Sequence, residues 1–342
     1  MRAAVFNKHG GPDVIEIAEV STPRVGAGQV RIAVRAAALN HLDLWARRGL
    51  PGLELRFPHI GGADIAGTIA ELGPGVEDLQ IGGRALINPS LWCGKCEWCR
   101  AGEESLCSSY RLIGEHIDGG FAEYVVVPER NVLPLPDDMS FEEAAAVPLV
   151  YQTAWRGLIR RGRLRAGESV LITGGSGGVS TAALQIAKLA GAHVLAVTAG
   201  EDKVRRLIEL GADQVIDRVK SDFSREIWKA TGKRGVDLAF DSVGEAIWPD
   251  IIRSLTRGGR LVTYGATTGP EGHANIRLLF WKQHEFIGTT MASRSEFEAV
   301  MALVFQKKLQ PVIDVVWPLE RAREAHERLE SGEQFGKIVL KP

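Results

Sequence analysis

The sequence predicts an α/β chain in two architectural parts, with a change of grammar near Pro148. Up to that point the segments are short, β-branched and alternating, punctuated by Gly and Pro. From Ser169 onward, apolar strands alternate with helical stretches of a length typical of a parallel sheet covered on both faces. All four cysteines fall between residues 93 and 107, which marks a small lobe inserted in the β-rich part.

With 342 residues the chain is long enough for two cores. Apolar content of 45%, charged content of 24% and a net charge of −1 describe an ordinary globular protein. They give no electrostatic reason to expect nucleic acid or an anionic membrane as a partner. No apolar run is long enough to span a bilayer or to act as a secretory signal, so the expectation is a cytoplasmic protein. Arg156, Arg160, Arg161, Arg163 and Arg165 crowd one stretch and read as a solvated helix face and loop.

In the first part, Val14 to Val20 and Gln29 to Leu39 read as strands, and GGADIAGTIAELGPGVEDLQIGGRALI continues the pattern with turns at Gly73-Pro74-Gly75 and Gly82-Gly83. A mostly antiparallel, barrel-like domain follows. In the second part, SVLITGG is a strand, VSTAALQIAKLAG a helix, HVLAVT a strand, EDKVRRLIELG a helix and QVID a strand. SDFSREIWKATG, VDLAFDSVG, EAIWPDIIRSLTRGG and RLVTYGA continue as helix, strand, helix and strand, and EFIGTTMA adds one more strand. Two amphipathic helices, Glu296 to Lys307 and Leu319 to Leu329, and a strand KIVLKP complete the chain.

Cys93, Cys96, Cys99 and Cys107 suit one tetrahedral Zn²⁺ with every position closed, a structural rather than a catalytic metal. An iron–sulfur run fits less well, because the fourth cysteine comes late and Ser108 rather than proline follows it. Two disulfides fit less well in a reducing compartment.

The turn Thr173-Gly174-Gly175-Ser176-Gly177-Gly178-Val179-Ser180 joins a buried strand to a helix, where free N–H groups and the helix dipole bind a pyrophosphate. Ser180 stands where the third glycine normally allows close helix–strand packing. Alone, the motif is a glycine-rich turn; at the head of a run of βα units it becomes a dinucleotide site. The next strand ends in Thr198 rather than the carboxylate that binds an NAD ribose, and Lys203, Arg205 and Arg206 follow, with Glu201 and Asp202 opposing them. NADP(H) is therefore favoured over NAD(H). Ser242 and Gly265, at the ends of two later strands, complete the expected cofactor-binding set with Gly175, Gly177, Gly178 and Val179.

These elements, in this order, resemble the medium-chain dehydrogenase/reductase superfamily along the whole chain. The resemblance rests on GGADIAG, the four-cysteine lobe, GGSGGVS and the closing FGKIVL. It implies a GroES-like catalytic domain over 1–149 with a zinc lobe near 90–110, a Rossmann domain over 150–288, and a segment 289–342 that returns to the catalytic domain. It also implies that Thr153 touches the cofactor, that Lys337 reaches its pyrophosphate, and that two Rossmann sheets pair edge to edge in a homodimer or homotetramer.

The superfamily's zinc alcohol dehydrogenases hold a second, catalytic zinc. Their ligand positions correspond here to Asn40 in Asn40-His41-Leu42-Asp43, to Ala63 in Gly62-Ala63-Asp64-Ile65-Ala66-Gly67, and to Leu149. Leu42 also replaces the hydroxyl of the proton relay. LNHLDLWARRG is similar to the zinc-free quinone oxidoreductases, so the expected reaction is hydride transfer to a quinone or α,β-unsaturated carbonyl, whose charge delocalises without a Lewis acid. By position Asn40, His41, Asp43 and Tyr151 are the candidate catalytic residues, although a lone His is as often structural, Asp43 is also placed to cap a helix, and Tyr151 to pack. Two alternatives stay open: an alcohol dehydrogenase with an improvised metal site using His41, Asp64 or His59, and an NADPH-binding regulatory protein.

Overall fold

The computed structural model describes residues 1–342 and divides into two units, one formed by Met1–Val150 with Ser293–Pro342 and the other by Tyr151–Ala292.

The first unit is built on a seven-stranded sheet centred on Gln29–Ala38. One side of that strand pairs antiparallel with Asp64–Leu72, which continues to Arg84–Ile87 and Val132–Pro134. The other side is shared: Tyr124–Pro128 covers Gln29 to Ala33, and Lys337–Lys341 covers Ala37 and Ala38. Lys337–Lys341 then pairs parallel with Ile313–Pro318. A three-stranded sheet, with Arg2–Phe6 between Ile15–Glu19 and His59–Ile60, closes the same core. Alternating inward residues of these strands, Ile32, Ile65, Ile87, Val125, Ile338 and Leu340, form the buried cluster. The strands match the expected pattern, with ends trimmed where alternation gives way to turns.

The second unit is a six-stranded, wholly parallel sheet. Its order is Gln214–Asp217, His193–Thr198, Ser169–Ile172, Val236–Asp241, Leu255–Thr263, Glu285–Gly288. Leu171, Leu195, Val197, Ala239 and Leu261 make its strands apolar throughout, as burial on both faces requires. The order reverses direction between Ser169–Ile172 and Val236–Asp241, which opens a crevice at the carboxyl ends of those strands.

Two local expectations change. Arg156 is buried inside a π-helical turn, Arg156–Arg161, so the arginine run is not one solvated face. EFIGTTMA is extended only over Glu285–Gly288: Thr289 N makes a last bond to Thr263 O at 3.0 Å, and the neighbouring strand ends there. No helix is long and apolar enough to cross a membrane.

Candidate active site and nucleotide crevice

The register of the first unit's sheet assembles a cluster from residues far apart in sequence. Val339 pairs with Ala38 and Asp64 pairs with Ala38 from the other side. Continuing the antiparallel register carries Lys337 opposite Asn40. Gly336, at φ 91°, has Val312 O only 2.2 Å from where a Cβ would sit, so the chain enters this strand through a position only glycine fills.

Three side chains at the strand ends bond pairwise. Lys337 Nζ donates to Asn40 Oδ1 (2.5 Å) and to Asp64 Oδ2 (2.8 Å). Asn40 Nδ2 donates to the same Asp64 oxygen at 2.9 Å. The other Asp64 oxygen accepts the amide of Leu149 at 2.7 Å. All three side chains are buried, Asp64 completely and Lys337 to 3% exposure. A charged pair this deep is tolerable because Lys337 makes two hydrogen bonds and Asp64 accepts three.

Asn40 also precedes the helix His41–Arg48, and its amide donates to Asp43 Oδ2 at 2.7 Å. Asp43 Oδ1 accepts from Gly62 N at 2.8 Å. Burial pushes the Asp43 carboxyl up to about 7, against these two N–H groups and the Lys337 charge, which pull it down. His41 opens the helix, half-buried and without a hydrogen-bond partner, with Trp45 at a ring distance of 6.3 Å. Burial, then the charges of Arg48 and Lys337, hold its pKa below the usual histidine range, so it is a neutral imidazole near pH 7.

This geometry sorts the four candidate catalytic residues. Asn40 has both ends of its carboxamide committed. Asp43 braces the helix start. Tyr151 is buried, accepts a bond from Gln185 Nε2 at 3.0 Å, and burial raises its pKa, so it is a packed hydroxyl rather than an exposed acid. His41 alone keeps free nitrogens. Lys337 Nζ commits two of its three N–H groups, to Asn40 and Asp64.

In the nucleotide crevice, Gly174 takes φ 56°, Gly177 N donates to Gly174 O, and Gly175 N donates to Val197 O. A Cβ on Gly175 would meet Leu207 Cδ1 at 2.8 Å. The helix Gly178–Leu189 starts immediately after, with the N–H groups of Gly178 and Val179 unpaired within the helix. This cradle fits a pyrophosphate. Ser180, in the place of the third glycine, turns its hydroxyl onto Thr173 O at 2.9 Å and so still packs against the strand. Buried Asp241 ties the neighbouring strand end, accepting from Thr173 Oγ1, Val243 N and Gly244 N. Ser242 and Gly265 lie side by side, since a Cβ on Gly265 would be 3.1 Å from Ser242 Cβ. Thr153 Oγ1 lies 3.7 Å from Met291 Sδ.

The parallel register also sets Thr198 beside Asp217, and Arg218 N donates to Thr198 O at 3.0 Å. The Arg218 side chain is exposed and unpaired, whereas Arg205 is bound to Asp202. Asp217 Oδ1 accepts from Gly200 N at 3.3 Å and Val219 N at 3.0 Å. Sequence reading, which followed the chain after Thr198, missed Arg218; the QVID strand that precedes it was the available signal.

In the cysteine lobe the four Sγ atoms lie within 4.8 Å of one another, and none forms a disulfide. Cys96 to Cys99 and Cys93 to Cys99 are 3.5 and 3.9 Å apart. These bracket the ~3.8 Å that a tetrahedron with Zn–S bonds of about 2.3 Å requires. Backbone N–H groups of Cys93, Cys96 and Ser109 point at these sulfurs, which favours thiolates. The residues fit a structural zinc.

Residues 26–137 match the family model for the alcohol dehydrogenase GroES-like domain, and 178–306 match that for the zinc-binding dehydrogenase. The chain belongs to the medium-chain dehydrogenase/reductase superfamily. It is 34% identical to a NAD-dependent alcohol dehydrogenase of Sulfolobus acidocaldarius, over 100% of this chain and 99% of the other. It is 35% identical to an acryloyl-coenzyme A reductase of Metallosphaera sedula, over 99% of both. A crystal structure of a NAD-dependent alcohol dehydrogenase superposes with TM-score 0.96 at 44% identity, covering all of both chains. The protein is thus an NAD(P)-dependent medium-chain oxidoreductase with a small-molecule substrate.

Proposed function

We propose that this oxidoreductase reduces α,β-unsaturated carbonyl compounds or quinones with NADPH and without a catalytic metal. The observation that carries the reading is the state of the three ligand positions. Asn40 is hydrogen-bonded at both ends, Ala63 has no donor atom, and Leu149 contributes only its backbone amide, to Asp64. This donor set does not fit a catalytic zinc.

A bound NADPH supplies hydride to the β-carbon of an activated alkene, or to a quinone. The resulting charge delocalises onto oxygen, where one or two hydrogen-bond donors stabilise it. His41, neutral and unpaired, donates its ring N–H there. The Asn40–Asp43 bond and the packed Trp45 hold the helix that presents it. The name of the acryloyl-coenzyme A reductase relative supports an activated alkene as acceptor, since acryloyl groups are of that class.

NADPH preference follows from Thr198, which lacks a carboxylate, and from Arg218, whose backbone amide bonds Thr198 O and whose exposed side chain is unpaired and suits a 2′-phosphate. The strand Glu285–Gly288 leaves one edge of its sheet open, and Ile276, Phe280 and Trp281 just before it are 75%, 64% and 65% exposed. We assign that edge to a homodimer, because an open edge beside large exposed apolar groups is unstable in water. Light scattering that gives a monomer at micromolar concentration would contradict it.

The relatives named alcohol dehydrogenases favour a second reading, reversible alcohol oxidation. Initial rates with enones, quinones, aldehydes and alcohols, using NADPH and NADH in parallel, separate the two. The reductase reading fails if alcohol oxidation dominates and is lost on mild chelation.

A further inference from the structure

The helix His41–Arg48 sorts its residues onto two faces. At about 100° per residue, His41, Trp45 and Arg48 share one face, and Asp43 and Arg47 share the opposite one. His41 and Trp45 are half-buried and Arg48 is exposed, whereas Asp43 and Arg47 are buried with Leu42, Leu44 and Ala46. Arg47 has no exposed surface at all. Its Nε donates to Gly10 O at 3.2 Å, one Nη donates to His326 Nδ1 at 3.3 Å, and the other to Glu330 Oε2 at 2.8 Å. Gly10 N donates back to Arg47 O at 2.9 Å, and Arg48 also pairs with Glu330. His326 and Glu330 lie one turn apart on the helix Ala322–Glu330. A guanidinium only donates, so His326 Nδ1 is the acceptor and the ring carries its proton on Nε2. Burial, then the Arg47 charge, holds the His326 pKa down at about 3, and the imidazole stays a neutral acceptor.

We propose that Arg47, held by His326 and Glu330, fixes the rotation of this helix about its own axis and thereby the direction in which His41 points; this rests on the reading of His41 as the donor to the developing charge. The His41 ring has no hydrogen-bond partner of its own, so its placement is inherited from the helix that carries it. Leu42, Leu44 and Ala46 press the helix against the core, but apolar burial is non-directional and leaves its angle loosely set. Asp43 anchors the first turn through Asn40 N and Gly62 N, and the planar fork of Arg47 anchors the last. A side chain on a helix reaches about 6 Å from the axis, so a rotation of roughly 10° moves the ring by about 1 Å. Misplacement of a reacting group by that distance costs about a hundredfold in rate. Stability alone is a weak reason for a buried guanidinium, since an apolar side chain of similar volume often serves as well. Arg47 touches no reacting atom and acts through His41 as a positioning residue.

The test uses the full, zinc-loaded chain and reads His41 both by nuclear magnetic resonance and in turnover. With the histidine rings labelled with nitrogen-15, the His41 signals are identified by their loss in His41→Phe. Arg47→Lys keeps the charge but not the fork, and it should move those signals. His326→Leu, which leaves Arg47 and Glu330 in place, should move them too. His326→Asn, whose carboxamide oxygen accepts from Arg47, should restore most of the wild-type position. With NADPH and an enone, Arg47→Lys should lower kcat by about tenfold with KM little changed. In the His41→Phe background the same substitution should change kcat by less than about twofold, because its effect passes only through His41. If Arg47→Lys does not fold, His326→Leu carries both measurements. The proposal is overturned if the His41 signals stay in place in both variants, or if the kcat loss is as large without His41 as with it. If the signals move while His41→Phe itself leaves kcat unchanged, Arg47 positions the ring and the donor reading is what fails.

Discussion

Asp43 Oδ1 accepts the amide of Gly62 at 2.8 Å, so one buried carboxyl ties the helix His41–Arg48 to the turn that leads into Asp64. Gly62 has φ 96° and Phe121 packed where a Cβ would stand, which holds its amide in place.

That carboxyl makes stability depend on pH. Its folded value, about 7, lies above the ordinary aspartate value, so the folded state holds a proton that the unfolded state releases. The contribution is full at low pH and is lost as pH rises from about 4 through 7, by at most about 1.4 kcal/mol per unit. Asp43→Asn should flatten the slope of unfolding free energy against pH across that window. Glu115, also pushed to about 7 by burial, adds a slope of the same sign that the variant leaves in place. A slope unchanged in Asp43→Asn would show that Asp43 titrates normally.

The cysteine lobe should hold close to one zinc per chain by metal analysis. Cys96→Ser removes one of four thiolates from a closed site, so the melting temperature should fall clearly while the surviving folded enzyme keeps most of its turnover. A visible iron–sulfur chromophore, or equal losses in turnover and stability, would be the contrary result.

For the cofactor, Arg218→Ala should lower kcat/KM with NADPH by about tenfold, or 1.4 kcal/mol, with NADH nearly unaffected. Thr198→Asp should move preference the same way by repelling a 2′-phosphate and bonding a free 2′-hydroxyl. Equal effects on the two cofactors would remove both residues from the discrimination.

If His41 donates to the developing charge, His41→Phe should lower kcat by about a hundredfold with little change in KM for NADPH. Ethanol oxidation should be negligible in both proteins. A raised substrate KM with kcat unchanged would reduce His41 to a wall of the substrate pocket.

What the sequence disclosed follows from how local each signal is. The cysteine cluster lies within fifteen positions, so its spacing alone suggested a metal, and the glycine-rich turn lies within eight and needed only the run of βα units after it to read as a phosphate site. The alternation of strands and helices from Ser169 onward likewise needs only neighbouring residues. The Asn40–Asp64–Lys337 cluster is different. Asn40 and Lys337 are 297 residues apart and meet only because two strands pair with one register, a property of the sheet and not of either segment. Family position suggested a phosphate contact for Lys337, and its bonds to Asn40 and Asp64 were not legible from either segment. Arg156 failed for a similar reason: a charge run says nothing about which member the next turn folds inward.

The first unit is also interrupted, since Tyr151–Ala292 is translated between its two pieces. On the ribosome, the Gln29–Ala38 strand emerges with Asp64 beside it long before Lys337 exists. At ordinary elongation speeds the 273 residues that separate Lys337 from Asp64 take about 14 to 55 s. Throughout that interval the nascent unit holds a buried acid without its counter-charge and a central strand with part of one flank bare. The intervening unit can finish first, whereas the first unit acquires its charge balance only when the Lys337–Lys341 strand has been made and docks. Chaperone contact during synthesis should therefore concentrate on the early strands, and the last step of maturation should be the arrival of that strand.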